Sequence, residues 1–219
     1  MHERVILFIN GEVTDYAFLA GLLQEDDFLV AVDGGLRHLL AINRQPHLLI
    51  GDLDSVTPEQ LEALSDGGVE IQRFPVEKDE TDLELALLET TQRSYKTIIL
   101  VGALGGRIDQ MLANLYLLML PQLHGLKVRI IDGYQEIFLI RHNAQVDGQA
   151  GDIISLLPLK GNAEGVSSTG LEYPLSNETL LLEHSRGISN RMVEPHALIT
   201  LTKGCLVCVH SWTDRKEIL

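Results

Sequence analysis

The sequence predicts an α/β domain with a mostly parallel sheet, followed by a smaller antiparallel β-sandwich. Three observations predict it. Over the first 133 residues, short runs rich in Val, Ile and Leu alternate with stretches of helical period. Each of those runs ends in a polar residue or glycine. Beyond that point the helical period disappears, and strand-length runs follow one another between clusters of Gly, Pro, Asn and Ser. Strands alternating with helices make a parallel sheet covered on both faces, and strands joined by turns alone pack as paired sheets. The 219 residues therefore divide into 1–133 and 134–219.

In order, "VILFIN", "FLVAVD", "HLLIGD", "TIILVG" and "KVRIID" predict the strands of the first domain. "DYAFLAGLL", "GLRHLLAI", "PEQLEALS" and "TDLELALLETTQ" lie between them with apolar residues near a 3.6 period. "IDQMLANLYLLML" repeats Ile108, Met111, Leu112 and Leu115 along one helix face. In the second domain "EIFLIR", "DIISLLPL", "TLLLEH", "ALITLT" and "CLVCVH" predict strands.

Composition narrows the function. Lys and Arg number 17 against 31 Asp and Glu, a formal net charge of -14. Such a field repels nucleic acid and anionic membrane and attracts cations. An anionic ligand must then be held through metals, backbone N–H groups or a few local Lys and Arg. No apolar run approaches the length of a membrane span, "LANLYLLML" coming nearest. The opening "MHERVILFIN" lacks the apolar length of a secretory signal. Cys205 and Cys208 lie on a strand-like run with no second pair to complete a metal site, so they read as small core residues of a reduced, cytoplasmic protein.

Ligands on open α/β sheets bind beyond the carboxyl ends of the strands, where this sequence keeps its unusual residues. Asp33 and Gly34 follow one run, and Asp52 and Asp54 follow another in "LLIGDLDSV". If the chain stays extended through Asp54, alternation puts both carboxylates on one side, an oxygen set suited to Mg²⁺. The alternative is helix capping, but Thr57 with Pro58 serves the next helix better. In "EKDETDLELAL" a T-x-x-E capping box accounts for Thr81 and Glu84, and a first-turn acid partly for Asp82. It accounts less well for Lys78 and Asp79. "GALGGRIDQMLANL" follows a strand with Gly102, Gly105 and Gly106, opens a helix, and adds Arg107, a pattern that converges N–H groups on an anion. It is neither a P-loop nor G-x-G-x-x-G. Asp109 beside such a cradle calls for a cation or a ligand donor. Taken together, Asp33, Asp52, Asp54, Asp79, Asp82 and Asp109 gather at one sheet edge. The residues alone thus lead to a Mg²⁺-nucleotide phosphotransferase or hydrolase.

The series "DGGLRHL", "PHLLIGDLDS", "EKDETDLELAL", "GALGGRIDQMLANL", "GDIISLLPL", "GVSSTGLEYPL" and "GISN" resembles the thiamine pyrophosphokinase family, in order over nearly the whole chain. The resemblance implies a Rossmann-like three-layer α/β/α domain, a β-sandwich, and a homodimer with active sites between the α/β domain of one subunit and the sandwich of the other. The implied reaction moves a pyrophosphoryl group from ATP to the hydroxyl of thiamine, giving thiamine diphosphate and AMP. It implies Mg²⁺ on Asp52, Asp54 and Asp82, with Asp33 in support and Asp79 and Thr81 near the reacting phosphates. Asp33, Gly34, Gly105, Gly106, Arg107, Asp109 and Gln110 would hold ATP. Tyr173, Ser189 and Asn190 would meet thiamine, whose fixed positive charge suits acidic and aromatic surroundings.

Two positions depart from the family pattern: Gln110 stands where many relatives have His, and Arg191 where an acid is common. The histidines fit no metal pattern, and His38, His47 and His124 read as surface or helix-end residues without a role. Three rival readings remain. A haloacid-dehalogenase-like phosphatase would use Asp52 as nucleophile, but its D-x-D motif belongs on a first strand. A pyrophosphokinase acting on a pterin would keep the architecture. A non-catalytic thiamine sensor would have lost the aspartates.

Overall fold

A computed structural model of the chain describes residues 3–213, which form two compact units divided between Gly133 and Tyr134. The first contains strands β1 (Arg4–Phe8), β2 (Phe28–Val32), β3 (Leu48–Gly51), β4 (Glu70–Arg73), β5 (Thr97–Val101) and β6 (Lys127–Asp132). Between them run helices α1 (Tyr16–Leu22), α2 (Leu36–Ala41), α3 (Pro58–Asp66), α4 (Asp82–Thr91) and α5 (Ile108–Leu117). The strand order β6-β5-β1-β2-β3-β4 is parallel throughout. Central strands are buried on both faces, as their unbroken apolar runs require: Val5 through Phe8 are wholly inaccessible. The chain winds outward from β1 to β4, then returns to the other side of β1 through β5. The order thus reverses at β1, and the segments leaving β1 and β5 run side by side there, Gly11 N donating to Gly102 O at 2.8 Å and Glu12 N to Leu104 O at 3.1 Å.

The five predicted strand runs form β1, β2, β3, β5 and β6; β4 was not expected. Its sequence, "EIQR", carries charge at both ends and pairs only with β3. As an edge strand it is polar for the reason that edges usually are, so it shows no apolar run.

Local chemistry fixes the helix starts. Asp15 caps α1 by accepting from Phe18 N at 2.9 Å. Thr57 and Gln60 close a reciprocal capping box on α3, with Pro58 in the first turn. Asp52 and Asp54 are thus not caps. Thr81 caps α4 through one arm, accepting from Glu84 N at 3.2 Å. Helix α5 is unusual: Ile108, Leu112 and Tyr116 are 73%, 45% and 53% exposed, and the residue it buries is Asn114. Its apolar stripe therefore faces away from the core of this unit.

The second unit contains β7 (Gln135–Ile140), β8 (Asn143–Asp147), β9 (Ile153–Pro158), β10 (Ala163–Thr169), β11 (Glu178–Leu180), β12 (Asn190–Arg191), β13 (His196–Thr200) and β14 (Leu206–Ser211). Its strands pair antiparallel in two sets, β12-β9-β14-β7 and β11-β10-β13-β8. Phe138, Ile154, Leu156 and Leu206 from one set share a core with Val146, Val166, Ala197 and Ile199 from the other. That is sandwich packing. Strands β8, β10 and β12 escaped the sequence reading because each is short or mostly polar. Cys208 lies in this core and Cys205 is half-buried, both as free thiols. At one end of β14, the buried His210 lies between Glu136 Oε1 at 3.2 Å and Asp152 Oδ2 at 3.1 Å.

Candidate active site

Strand β3 stops at Gly51, one residue before the aspartate pair. Leu53 then takes a left-handed φ of 64° with its side chain buried, and Asp54 N donates to Asp52 Oδ1 at 3.2 Å. A turn, not strand alternation, therefore brings Asp52 and Asp54 together. Leu53 pins that turn by filling the core while its backbone bears a conformation that a branched residue avoids. Asp33, at the end of β2, is likewise left-handed, with φ 45°, and accepts from Ser55 Oγ at 2.7 Å. Strained residues held in place by packing cluster at functional sites.

One carboxylate oxygen from each of Asp33, Asp52 and Asp54 lies within 4.8 Å of the others. Repulsion from Asp52, then from Asp33, holds the Asp54 carboxyl above its ordinary range. An all-oxygen set this close fits a hard divalent cation such as Mg²⁺. Asp33 and Asp52, though not Asp54, line a cavity that Asp82 joins from the first turn of α4; the Oδ1 of Asp82 has the Lys78 ammonium beside it at 3.0 Å. That cavity, of about 310 Å³, is also lined by Asn10, Lys78, Glu80, Thr81, Gln110 and Asn114. Asp79 is exposed and does not line it.

A second cavity of about 420 Å³ adjoins the first through Ile9, Asn10, Gln110 and Asn114. It is lined by Gly105, Gly106, Arg107, Arg37 and Glu12. Gly105 has φ 85°, and a Cβ there would stand 2.8 Å from Glu12 Cβ, so only glycine admits the cavity wall. Arg107 precedes α5 and its side chain does not cap that helix; the Asp109 carboxylate instead accepts from backbone N–H groups of the first turn. The guanidinium itself is committed to Asp109 by Nε at 3.1 Å and Nη2 at 2.5 Å, both side chains being exposed. Gly34 packs beside the Asn10 side chain, where a Cβ would clash.

Four participants were not anticipated. Asn10 ends the β1 run and borders both cavities. Asn114, buried, donates Nδ2 to Ala103 O at 2.8 Å and holds the glycine loop to α5. Arg37 donates to Asn10 O at 2.9 Å and Gly11 O at 2.8 Å. His38 is the clear correction: it is 1% exposed, with Nε2 3.0 Å from Gly11 O and Nδ1 2.9 Å from Tyr16 Oη. Burial, then Arg37, pushes its pKa down. Its place on the inner side of α2, one residue after Arg37, made it look like a helix-end residue in sequence.

In the sandwich, Asn190 Oδ1 accepts from Tyr173 N at 3.1 Å and Arg191 N at 2.9 Å, while Nδ2 donates to Tyr173 O at 2.7 Å. Its amide is spent on fixing the Tyr173 loop. Tyr173 is 60% exposed, and Ser189, left-handed with φ 56°, is exposed beside Asn190.

Carboxylates and a glycine-lined helix start flank the switch point of a parallel sheet, an arrangement suited to an α/β enzyme that binds phosphates. The family model for the thiamin pyrophosphokinase catalytic domain matches residues 19–130, and that for the thiamin pyrophosphokinase vitamin B1 binding domain matches 139–206. The chain belongs to the thiamin pyrophosphokinase family. It is 29% identical over 196 residues to the thiamine pyrophosphokinase of Bacillus subtilis (strain 168), covering 88% of this chain and 91% of that one. The crystal structure of a thiamine pyrophosphokinase from Bacillus subtilis superposes with TM-score 0.86 at 26% identity, covering 96% of this chain and 100% of that one. A thiamin pyrophosphokinase family protein from Enterococcus faecalis gives TM-score 0.81 at 27% identity, covering 97% and 100%. These likenesses lend no support to the phosphatase, pterin or sensor readings.

Proposed function

We propose that the protein transfers the pyrophosphoryl group of ATP to the hydroxyl of thiamine, giving thiamine diphosphate and AMP. The observation that carries this reading is the approach of Asp33, Asp52 and Asp54 to within 4.8 Å, near the glycine-lined cavity at the carboxyl ends of β1 and β5. The order β6-β5-β1-β2-β3-β4, reversing at β1, supports the Rossmann-like description.

Asp52 and Asp54, with Asp33 and Asp82 adjoining, would hold Mg²⁺; bound there, it neutralises polyphosphate charge and polarises the phosphoryl oxygens. The acidic cavity takes the reacting phosphates. The glycine-lined cavity takes the nucleoside side of ATP, with the α5 start and Arg107 facing its phosphates once Arg107 leaves Asp109. The thiamine oxygen attacks the β-phosphorus, AMP leaves with the bridging oxygen, and a carboxylate of the cluster takes the hydroxyl proton. Asn10, Gln110 and Asn114, lining both cavities, align the phosphate chain across the junction.

Thiamine is held by Tyr173 and Ser189, with Asn190 fixing the loop, on the sandwich of a second subunit. The exposed α5 stripe of Ile108, Leu112 and Tyr116 is a surface that a second copy would cover. The two free cysteines suit a reducing cytoplasm. Among the described residues no helix is long and apolar enough to cross a membrane.

The test is direct. Purified protein with Mg²⁺, ATP and thiamine should release AMP and thiamine diphosphate in equal amounts. ADP or free phosphate as the nucleotide-derived product would break the reading.

A further inference from the structure

The acidic cavity contains one cation of its own. Lys78 is the only positively charged side chain among its lining residues, set against Asp33, Asp52, Glu80 and Asp82. The side chain is 12% exposed, an uncommon degree of burial for lysine. Its Nζ donates to Pro75 O at 2.9 Å and stands 3.0 Å from Asp82 Oδ1. That oxygen is buried and makes no well-directed hydrogen bond, so the lysine's charge is what balances it. Lys78 precedes α4, so the pair is not an ordinary helix-surface contact.

Two cations therefore compete for Asp82: this ammonium, and any divalent ion held by the neighbouring carboxylates. We propose that Lys78 is a catalytic residue that exchanges partners, leaving Asp82 when metal and nucleotide arrive and bonding the oxygens of the transferred pyrophosphoryl group. The inference rests on the reaction proposed above and deepens it. A flexible point charge with three donors can make that move, the Cα staying in place while the four-carbon stem swings. Donors aimed at charge that spreads over the phosphoryl oxygens stabilise the transfer. Lys78 moves no proton. The bond from the thiamine oxygen to the β-phosphorus forms, the bond from the β-phosphorus to the bridging oxygen breaks with its electron pair leaving on AMP, and a carboxylate of the cluster takes the hydroxyl proton. The competing reading is a structural clip that closes the loop from Pro75 to Asp82.

The two readings predict opposite signs. Lys78→Gln retains an N–H donor for Pro75 O but removes the charge, and Lys78→Met removes both. Mn²⁺ binding to the nucleotide-free protein is followed by electron paramagnetic resonance, and AMP release by steady-state assay. Under exchange, both variants bind Mn²⁺ about tenfold more tightly than the wild type, because a competing charge is gone. Both also lose roughly a hundredfold in kcat, the scale of one lost donor to a transition state. Lys96→Met, the same change in net charge at an exposed pair with Glu3, leaves both measurements unaltered. Unchanged or weaker Mn²⁺ binding in Lys78→Gln overturns the exchange, and unchanged kcat overturns the contact with the pyrophosphoryl group. Wild-type protein that binds no Mn²⁺ and releases no AMP overturns the underlying reaction instead, and this proposal with it.

Discussion

The Nε2 of buried His38 lies 3.0 Å from the carbonyl oxygen of Gly11. A carbonyl can only accept, so Nε2 carries the proton, and Nδ1 is left to accept from Tyr16 Oη. The neutral ring thus ties α2 and α1 to the loop that borders both cavities. Gly11 is closely held there, since a Cβ would stand 2.3 Å from Gly102 O.

His38→Leu should cost about 2 kcal/mol of stability, the scale of leaving Gly11 O and Tyr16 Oη unpaired. It should also raise the KM for ATP, because the Asn10–Glu12 loop loses its anchor. The pH dependence has a definite sign. The folded pKa lies below the ordinary 6.5, so the unfolded chain takes up the proton first. Stability from this group is full above that value and is lost as pH falls below it. Wild type should therefore lose more stability than His38→Leu between pH 7 and 5, read by urea melts; equal losses would refute the buried neutral ring.

Asp54→Asn should separate stability from activity. Removing one of three crowded carboxylates relieves repulsion, so the variant should melt higher than wild type in the presence of chelator. Its kcat should fall by roughly a hundredfold or more, as expected for a lost metal ligand. A lower melting point would show that the cluster is not strained by charge.

Asp82→Asn tests the fourth carboxylate. A role on the metal predicts a fall in kcat of about a hundredfold with the KM for thiamine little changed. Near-normal turnover would rule out an essential role for that carboxylate.

Asp152 belongs to the stability of the sandwich. Burial pushes its pKa up, but bonds from Thr213 N, Gln149 N, His210 and Thr213 Oγ1 more than offset this, and the net shift is downward. Its stabilisation is present above the ordinary carboxylate value and is lost as pH falls through the lower, folded one. Asp152→Asn should cost about 3 kcal/mol at neutral pH, the scale for breaking a buried charge pair. The difference from wild type should shrink toward pH 3 in calorimetric scans.

Asn190→Ala should cost about 2 kcal/mol by orphaning the Tyr173 backbone groups. It should raise the KM for thiamine more than that for ATP. An equal rise in both would detach Asn190 from the thiamine side.

Much of this molecule is legible in its sequence because its signals are local. Unbroken apolar runs announced five of six parallel strands, since strands buried on both faces carry no polar alternation. Thr57–Pro58 and Thr81 announced helix starts, because capping is settled within four residues. The glycine loop and the grouped aspartates announced phosphate chemistry through residue type alone.

What only the tertiary structure decided depends on distant partners. Strand β4 exists because β3 offers it an edge, not because "EIQR" prefers to be extended. Asp52 and Asp54 converge through a left-handed Leu53 that the core holds in place, a conformation no propensity would assign to leucine. His38 and Arg37 act on a loop some 26 positions away in sequence, and Lys78 gains its meaning only from the carboxylates the fold collects around it. Sequence determined the elements and the chemistry at their ends, because backbone preference and residue type are local properties. Which side chains oppose, clamp or neutralise one another was decided by packing, which brings together residues that no spacing connects.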